Sequence, residues 1–104
     1  MENYTENSGI KVKNDNQIIE ERKNDLINFL KYTVYNVLSQ TDWAIIKCQE
    51  LGLNLQETYP EICQFRQTIR RKNQKIEEMI AQATTLEELS AIEQMIVNID
   101  IIDE

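Results

Sequence analysis

Residues 60–82 read PEICQFRQTIRRKNQKIEEMIAQ, and this stretch decides the fold. Ile62, Phe65, Ile69, Ile76, Met79 and, just beyond it, Ala83 recur at near-heptad spacing, the period of an α-helix that buries one face. Lys72 interrupts the stripe, and Glu77 and Glu78 fall on the polar side. Pro60, after Thr58-Tyr59, marks the start, because a proline in a first turn gives up only an N–H that has no partner inside the helix. The predicted helix runs to about Gln82.

The same period extends outward on both sides. Upstream, Ile19, Leu26, Ile27, Leu30, Val34, Val37 and Leu38 recur every three or four residues, with Glu20, Arg22, Lys23, Asn24 and Lys31 mostly on the other face. This predicts an amphipathic helix over 17–39. Ser39 or Thr41 can cap a second helix, in which Trp43, Ile46 and Leu51 make a shorter stripe that ends at Gly52, where a left-handed C-cap belongs. That helix is expected over about 42–51, then a short extended connection, Leu53-Asn54-Leu55-Gln56-Glu57. Downstream, Thr85-Leu86-Glu87-Glu88 has the spacing of a capping box and opens a helix over about 86–96 that turns Leu89, Ile92 and Ile96 inward. The fold class expected is all-α: a small helical hairpin or bundle of three to four helices. Its core should be the hairpin of the first three helices, closed by the fourth.

The two ends read differently. Residues 1–9 are polar and aperiodic, and Ile10-Lys11-Val12-Lys13 alternates with period two before the turn-prone Asn14-Asp15-Asn16. Val97-Asn98-Ile99-Asp100-Ile101 alternates likewise. The predicted organisation is a flexible N-terminal arm over 1–16 with a short strand in it, a helical domain over 17–96, and an acidic, Ile-rich tail over 97–104. Lys in one alternating segment and Asp in the other favour pairing of the two ends, or addition of either to a sheet edge in a neighbouring subunit. The plainer alternative is a frayed amino end and a simple extension of the last helix.

Composition narrows the function. A chain of 104 residues, 41% of them hydrophobic, supports one modest core, and two Gly and one Pro are too few for the turns of a sandwich or barrel. Eighteen acidic residues against eleven basic give a net charge of −7, which argues against nucleic acid as a partner. There is no His, the usual acid/base at neutral pH and the commonest metal ligand. No Gly-rich phosphate loop, nucleophile elbow or EF-hand spacing occurs, and adjacent pairs such as Glu77/Glu78 point about 100° apart on a helix. The expectation is no enzyme, no metal and no cofactor. The two cysteines, Cys48 and Cys63, form no CxxC, so they read as small buried or half-buried hydrophobes in a reducing compartment, although an antiparallel hairpin could bring them close. With neither a secretion signal nor a span of ~20 apolar residues, the protein is expected to be soluble and to stay in the cytoplasm where it is made.

Protein partners are what remains. Trp43, in the first turn of the second helix, reads as a hairpin anchor buried between helices, with a partner hot spot as the alternative. Arg66, Arg70, Arg71, Lys72 and Lys75 form a basic stretch, while residues 86–104 hold six acidic side chains and no basic one. The stretch reads as a contact for acidic protein segments rather than for phosphate. Phe65 beside it, and Ile99 and Ile101 in the tail, complete the candidate contact residues.

Thr41-Asp42-Trp43, with Lys47, Glu50, Gly52, Pro60, Arg66, Ile69, Arg70, Ile76, Glu77 and Thr85-Leu86-Glu87-Glu88-Leu89, resembles the short helical module of small bacteriophage tail-associated proteins. Phe65-Arg66-Gln67-Thr68-Ile69-Arg70 is similar to the Tyr-Arg-x-x-Leu-Arg segment of the phage tail assembly chaperone family. The likeness covers residues 38–90. It departs from the pattern at Ala44, at Cys48 and in the acidic, Ile-rich end. The resemblance implies a non-enzymatic phage or prophage protein, structural or assembling, whose partners are other tail, baseplate or fibre proteins or a second copy of itself. Its place would be the host cytoplasm during assembly, with retention in the virion left open. From a different class comes the alternative of a small acidic inhibitor of a host defence protein, whose carboxylates imitate nucleic acid in a basic groove.

Overall fold

A computed structural model describes residues 14–102, which form five helices: α1 (Asp15–Ser39), α2 (Asp42–Leu51), α3 (Leu55–Thr58), α4 (Pro60–Gln82) and α5 (Leu86–Val97). Among the described residues there is no strand. Local side-chain chemistry sets most boundaries. The Asn14 side chain accepts from the Gln17 amide at 2.8 Å while Gln17 Oε1 accepts from the Asn14 amide at 3.0 Å. That capping box starts α1 at Asp15, inside the stretch read as a turn; an Asn that suits a turn also suits an N-cap. Gly52, at φ +67°, ends α2 in the left-handed conformation. Pro60 opens α4, and Thr85 and Glu88 form the reciprocal box that opens α5. The connection expected to be extended over 53–57 instead contains α3, a single turn whose N-cap, Asn54, accepts from the Glu57 amide at 3.0 Å.

The core lies between α1, α4 and α5. Leu26 and Leu30 of α1, Ile69, Ile76 and Ile80 of α4, and Leu89 and Ile96 of α5 are fully buried in one cluster, with Phe65 and Met79 packed against it. This corrects the expected hairpin of the first three predicted helices, because α2 contributes nothing to that cluster. Only Ala44 and Cys48 of α2 are buried, and two side chains so small supply little apolar area, whereas Trp43, Ile46 and Leu51 are exposed. The segment 40–59 is thus an excursion at one end of a three-helix core.

The strand expected over 97–101 is also corrected. After Val97 the chain tightens into turns, with the Ile99 amide donating to Ile96 O at 3.2 Å and the Ile101 and Ile102 amides to Asn98 O. Leu89, Ile92, Ile96 and Ile99 continue one helical 3-4-3 spacing into the core, which overrides the two-residue alternation. Ile99 is 0% exposed and Ile101 74%. The strand and pairing expected for 10–13 lie outside the described residues. No helix of the described residues is long and apolar enough to cross a membrane.

Candidate interaction surface

Two of the five cations in the basic stretch turn inward. Neither α1 nor α5 has a basic residue in its own last turn, so the carbonyls at both helix ends, where the helix dipole is negative, lack a local cation. α4 supplies both. Arg66 Nη1 donates to Leu38 O at 2.7 Å at the end of α1, to Thr41 Oγ1 at 2.7 Å, and to Asp42 Oδ1 at 3.1 Å in the first turn of α2. Lys72 Nζ donates to Ile99 O at 2.9 Å and to Ile102 O, just past α5. Both residues are buried, their stems lying along the stripe of α4 with Ile69, Ile76 and Ile80. Lys72 therefore does not interrupt that stripe. It completes it.

This divides the candidate contact residues. Arg66 is a structural pin rather than a surface for acidic segments, while Arg70, Arg71 and Lys75 are exposed. Arg71 Nη2 donates to Thr68 Oγ1 at 3.0 Å, one turn away. Phe65 is half-buried against the core with part of its ring at the surface, whereas Ile99, fully inside it, offers no chain to a partner. Ile101 does.

Trp43 is not buried between helices. It is 52% exposed, and its ring meets Tyr59 edge-on, with centroids 5.3 Å apart and planes at 73°. The inward positions of α2 are Ala44 and Cys48, and a residue adjacent to Ala44 is rotated by about 100° away from it. Ile46, one turn along from Trp43, is exposed too, as are Leu51 and Leu53 on either side of Gly52. The excursion thus presents Trp43 and three aliphatic side chains to solvent, with Tyr59 half-buried beside the indole. Behind them, Arg66 fastens the corner at Gln40–Thr41, and Thr41 Oγ1 itself donates to Leu38 O at 3.1 Å. Thr41, Asp42 and Arg66 are in direct contact.

Cys48 is buried and Cys63 half-buried, and both are free thiols. Among the described residues, no group of three or more His, Cys, Asp or Glu side chains could hold a metal ion. The Glu88 carboxyl is held below the usual glutamate range, first by the Thr84 amide at 2.8 Å, then by the Thr84 hydroxyl and by Thr85. Its work is to cap α5. The roles of Tyr59 and Lys72 escaped the sequence reading; the available signal was that Lys72 stands three residues after Ile69 and four before Ile76, on the buried face. No protein-family model, curated protein or solved structure matches the chain.

Proposed function

We propose that this chain is a non-enzymatic phage or prophage protein, tail-associated, that acts as a structural or assembly factor by contacting other tail, baseplate or fibre proteins in the host cytoplasm. The observation that carries the reading is the exposed set Trp43, Ile46, Leu51 and Leu53, with the half-buried Tyr59 against Trp43, on a corner held by a buried arginine. An amphipathic aromatic beside aliphatics, on a backbone fixed from behind, is the composition of an interface hot spot, and little ordering entropy is lost when a partner docks. Three of the residues shared with the tail-associated module, Thr41, Asp42 and Arg66, meet at that same corner, which supports the assignment of the partner class.

The test is made in the phage or prophage that carries the gene. Deleting it should give lysates with incomplete or misassembled tails by electron microscopy, and the wild-type protein supplied in trans should restore them. A Trp43→Asp/Ile46→Asp variant, checked for native helicity by circular dichroism, should not. Normal tails in the deletion overturn the reading. If the deletion is neutral for tails and the protein instead binds a basic host protein with steep salt dependence, the nucleic-acid mimic takes its place.

A further inference from the structure

Trp43, Ile46, Lys47 and Glu50 stand at i, i+3, i+4 and i+7 of α2 and share its outer face, all four exposed, while Ala44 and Cys48 take the inner one. From 45 to 61% of each of Trp43, Ile46, Leu51 and Leu53 is in solvent. That is on the order of 450 Å² of largely apolar surface, as much as a lone monomer ordinarily shows in one patch. Lys47 and Glu50 lie in the middle of it, and neither has an ion pair among the described residues. A surface that covers this face must bring apolar side chains together with one carboxylate for Lys47 and one cation for Glu50.

The same face of α2, run antiparallel, has these features. We infer that the outer face of α2 pairs with that of a second copy about a two-fold axis level with the midpoint between Lys47 and Glu50. Lys47 of each copy then meets Glu50 of the other, so one register makes the unlike pair twice, and the Trp43 end of one helix lies against the Leu51–Leu53 end of the other. A parallel pairing would set Lys47 on Lys47 and Glu50 on Glu50. Two copies cover about 900 Å² of the four apolar residues, and Lys47, Glu50 and the edge of Tyr59 carry the contact past the ~1,000 Å² of a specific interface, at its small end. The dimer is therefore reversible, with Kd on the order of 10–100 µM. Each copy has a net charge of −7, but the carboxylates of α5 are remote from the contact. That helix ends beside Lys72, about 18 Å along α4 from Pro60, which is more than twice the ~8 Å screening length at physiological ionic strength. The inference rests on the reading of this corner as the contact surface and adds a regulation of it: the second copy covers Trp43 and Ile46 until a tail partner displaces it.

Sedimentation equilibrium of the full chain tests this, with the emission of Trp43, the one tryptophan, as a reporter at the contact itself. Expected is a monomer–dimer equilibrium in which the emission moves to shorter wavelength as the dimer forms. Lys47→Glu and Glu50→Lys, both on exposed side chains and checked for native helicity by circular dichroism, should each raise Kd about tenfold or more, since each turns two unlike pairs into two like ones. Mixed with each other, the two variants should form a heterodimer of about wild-type affinity, because both pairs are then unlike again. A wild-type chain that stays monomeric at 500 µM overturns the inference. So does a dimer that ignores both reversals, which places the contact elsewhere, or a mixture that associates no better than either variant alone. The tails of the deletion strain test the partner class, and none of these outcomes depends on them.

Discussion

Replacing Arg66 by Ala removes three hydrogen bonds from one buried nitrogen at a corner where α1, α2 and α4 meet. The magnitude depends on the groups left behind. Leu38 O keeps the Thr41 amide and the Thr41 hydroxyl, each at 3.1 Å, so it is not orphaned. The Asp42 side chain is 48% exposed and rehydrates, so the ion pair itself contributes on the order of 1 kcal/mol or less. The remaining loss comes from charged hydrogen bonds to Leu38 O and Thr41 Oγ1, at about 1.5–3 kcal/mol for bonds of this kind, and from the packing of the arginine stem. We expect Arg66→Ala to cost about 2–4 kcal/mol, out of the roughly 5–15 kcal/mol that holds a domain of this size. In urea unfolding followed by circular dichroism this is a midpoint lowered by about 1–3 M at unchanged slope. A double-mutant cycle with Asp42→Ala should return a coupling of no more than about 1 kcal/mol. A loss below about 1 kcal/mol, or a coupling that accounts for the whole effect, refutes the view that Arg66 works mainly by closing the end of α1.

Ile99→Ala should cost about 2–5 kcal/mol and Ile101→Ala less than about 0.5 kcal/mol in the same assay, whereas an exposed two-stranded ribbon would make the pair alike. Trp43→Ala should cost only about 1–2 kcal/mol, the half-buried ring plus its edge contact with Tyr59, and its fluorescence should be quenched readily by acrylamide; a cost near that of a buried Trp, about 3–5 kcal/mol, returns the residue to the core. Because the folded state lowers the Glu88 pKa, its cap contributes fully above the ordinary glutamate value, declines as the pH falls below that value, and is gone below the folded-state value. Titration of the Glu88 carboxyl by carbon-13 NMR should thus show a midpoint below the ordinary glutamate value, moved part of the way back by Thr84→Ala; a midpoint at the ordinary value contradicts the capping geometry.

What could be read in the sequence was the chemistry of short range. Pro60, Gly52 and the Thr85–Glu88 box fix helix ends through atoms within four residues of one another, and the inward positions Leu89, Ile92 and Ile96 follow from one helical period. Asn14 and Asn54 show the ambiguity inside that range, since the side chain that favours a turn also caps a helix. The pairing of helices was not legible, because α2 has a stripe of its own and only the smallness of Ala44 and Cys48 keeps it out of the core. Nor were the roles of Arg66 and Lys72, whose carbonyl partners lie up to 28 and 30 residues away. In the candidate surface, Trp43 was recognisable as an aromatic of consequence, but its exposure depends on a rotation of one position in α2. Ile99 turned inward because it continues the helical spacing of Leu89, Ile92 and Ile96, and Phe65 packs only part of its ring against the core.

Since that core is complete without α2 and α3, the excursion over 40–59 can open while the rest stays folded, at a free energy below that of global unfolding. The two thiols then keep different time. Cys63, half-buried on α4, is modified at a rate set by the reagent and its access, whereas Cys48, enclosed on the inner side of α2, waits for the helix to lift. The ratio of their alkylation rates measures how often the corner unlatches. Arg66 is the latch, and any partner that grips Trp43 and Ile46 slows Cys48 while leaving Cys63 as it was.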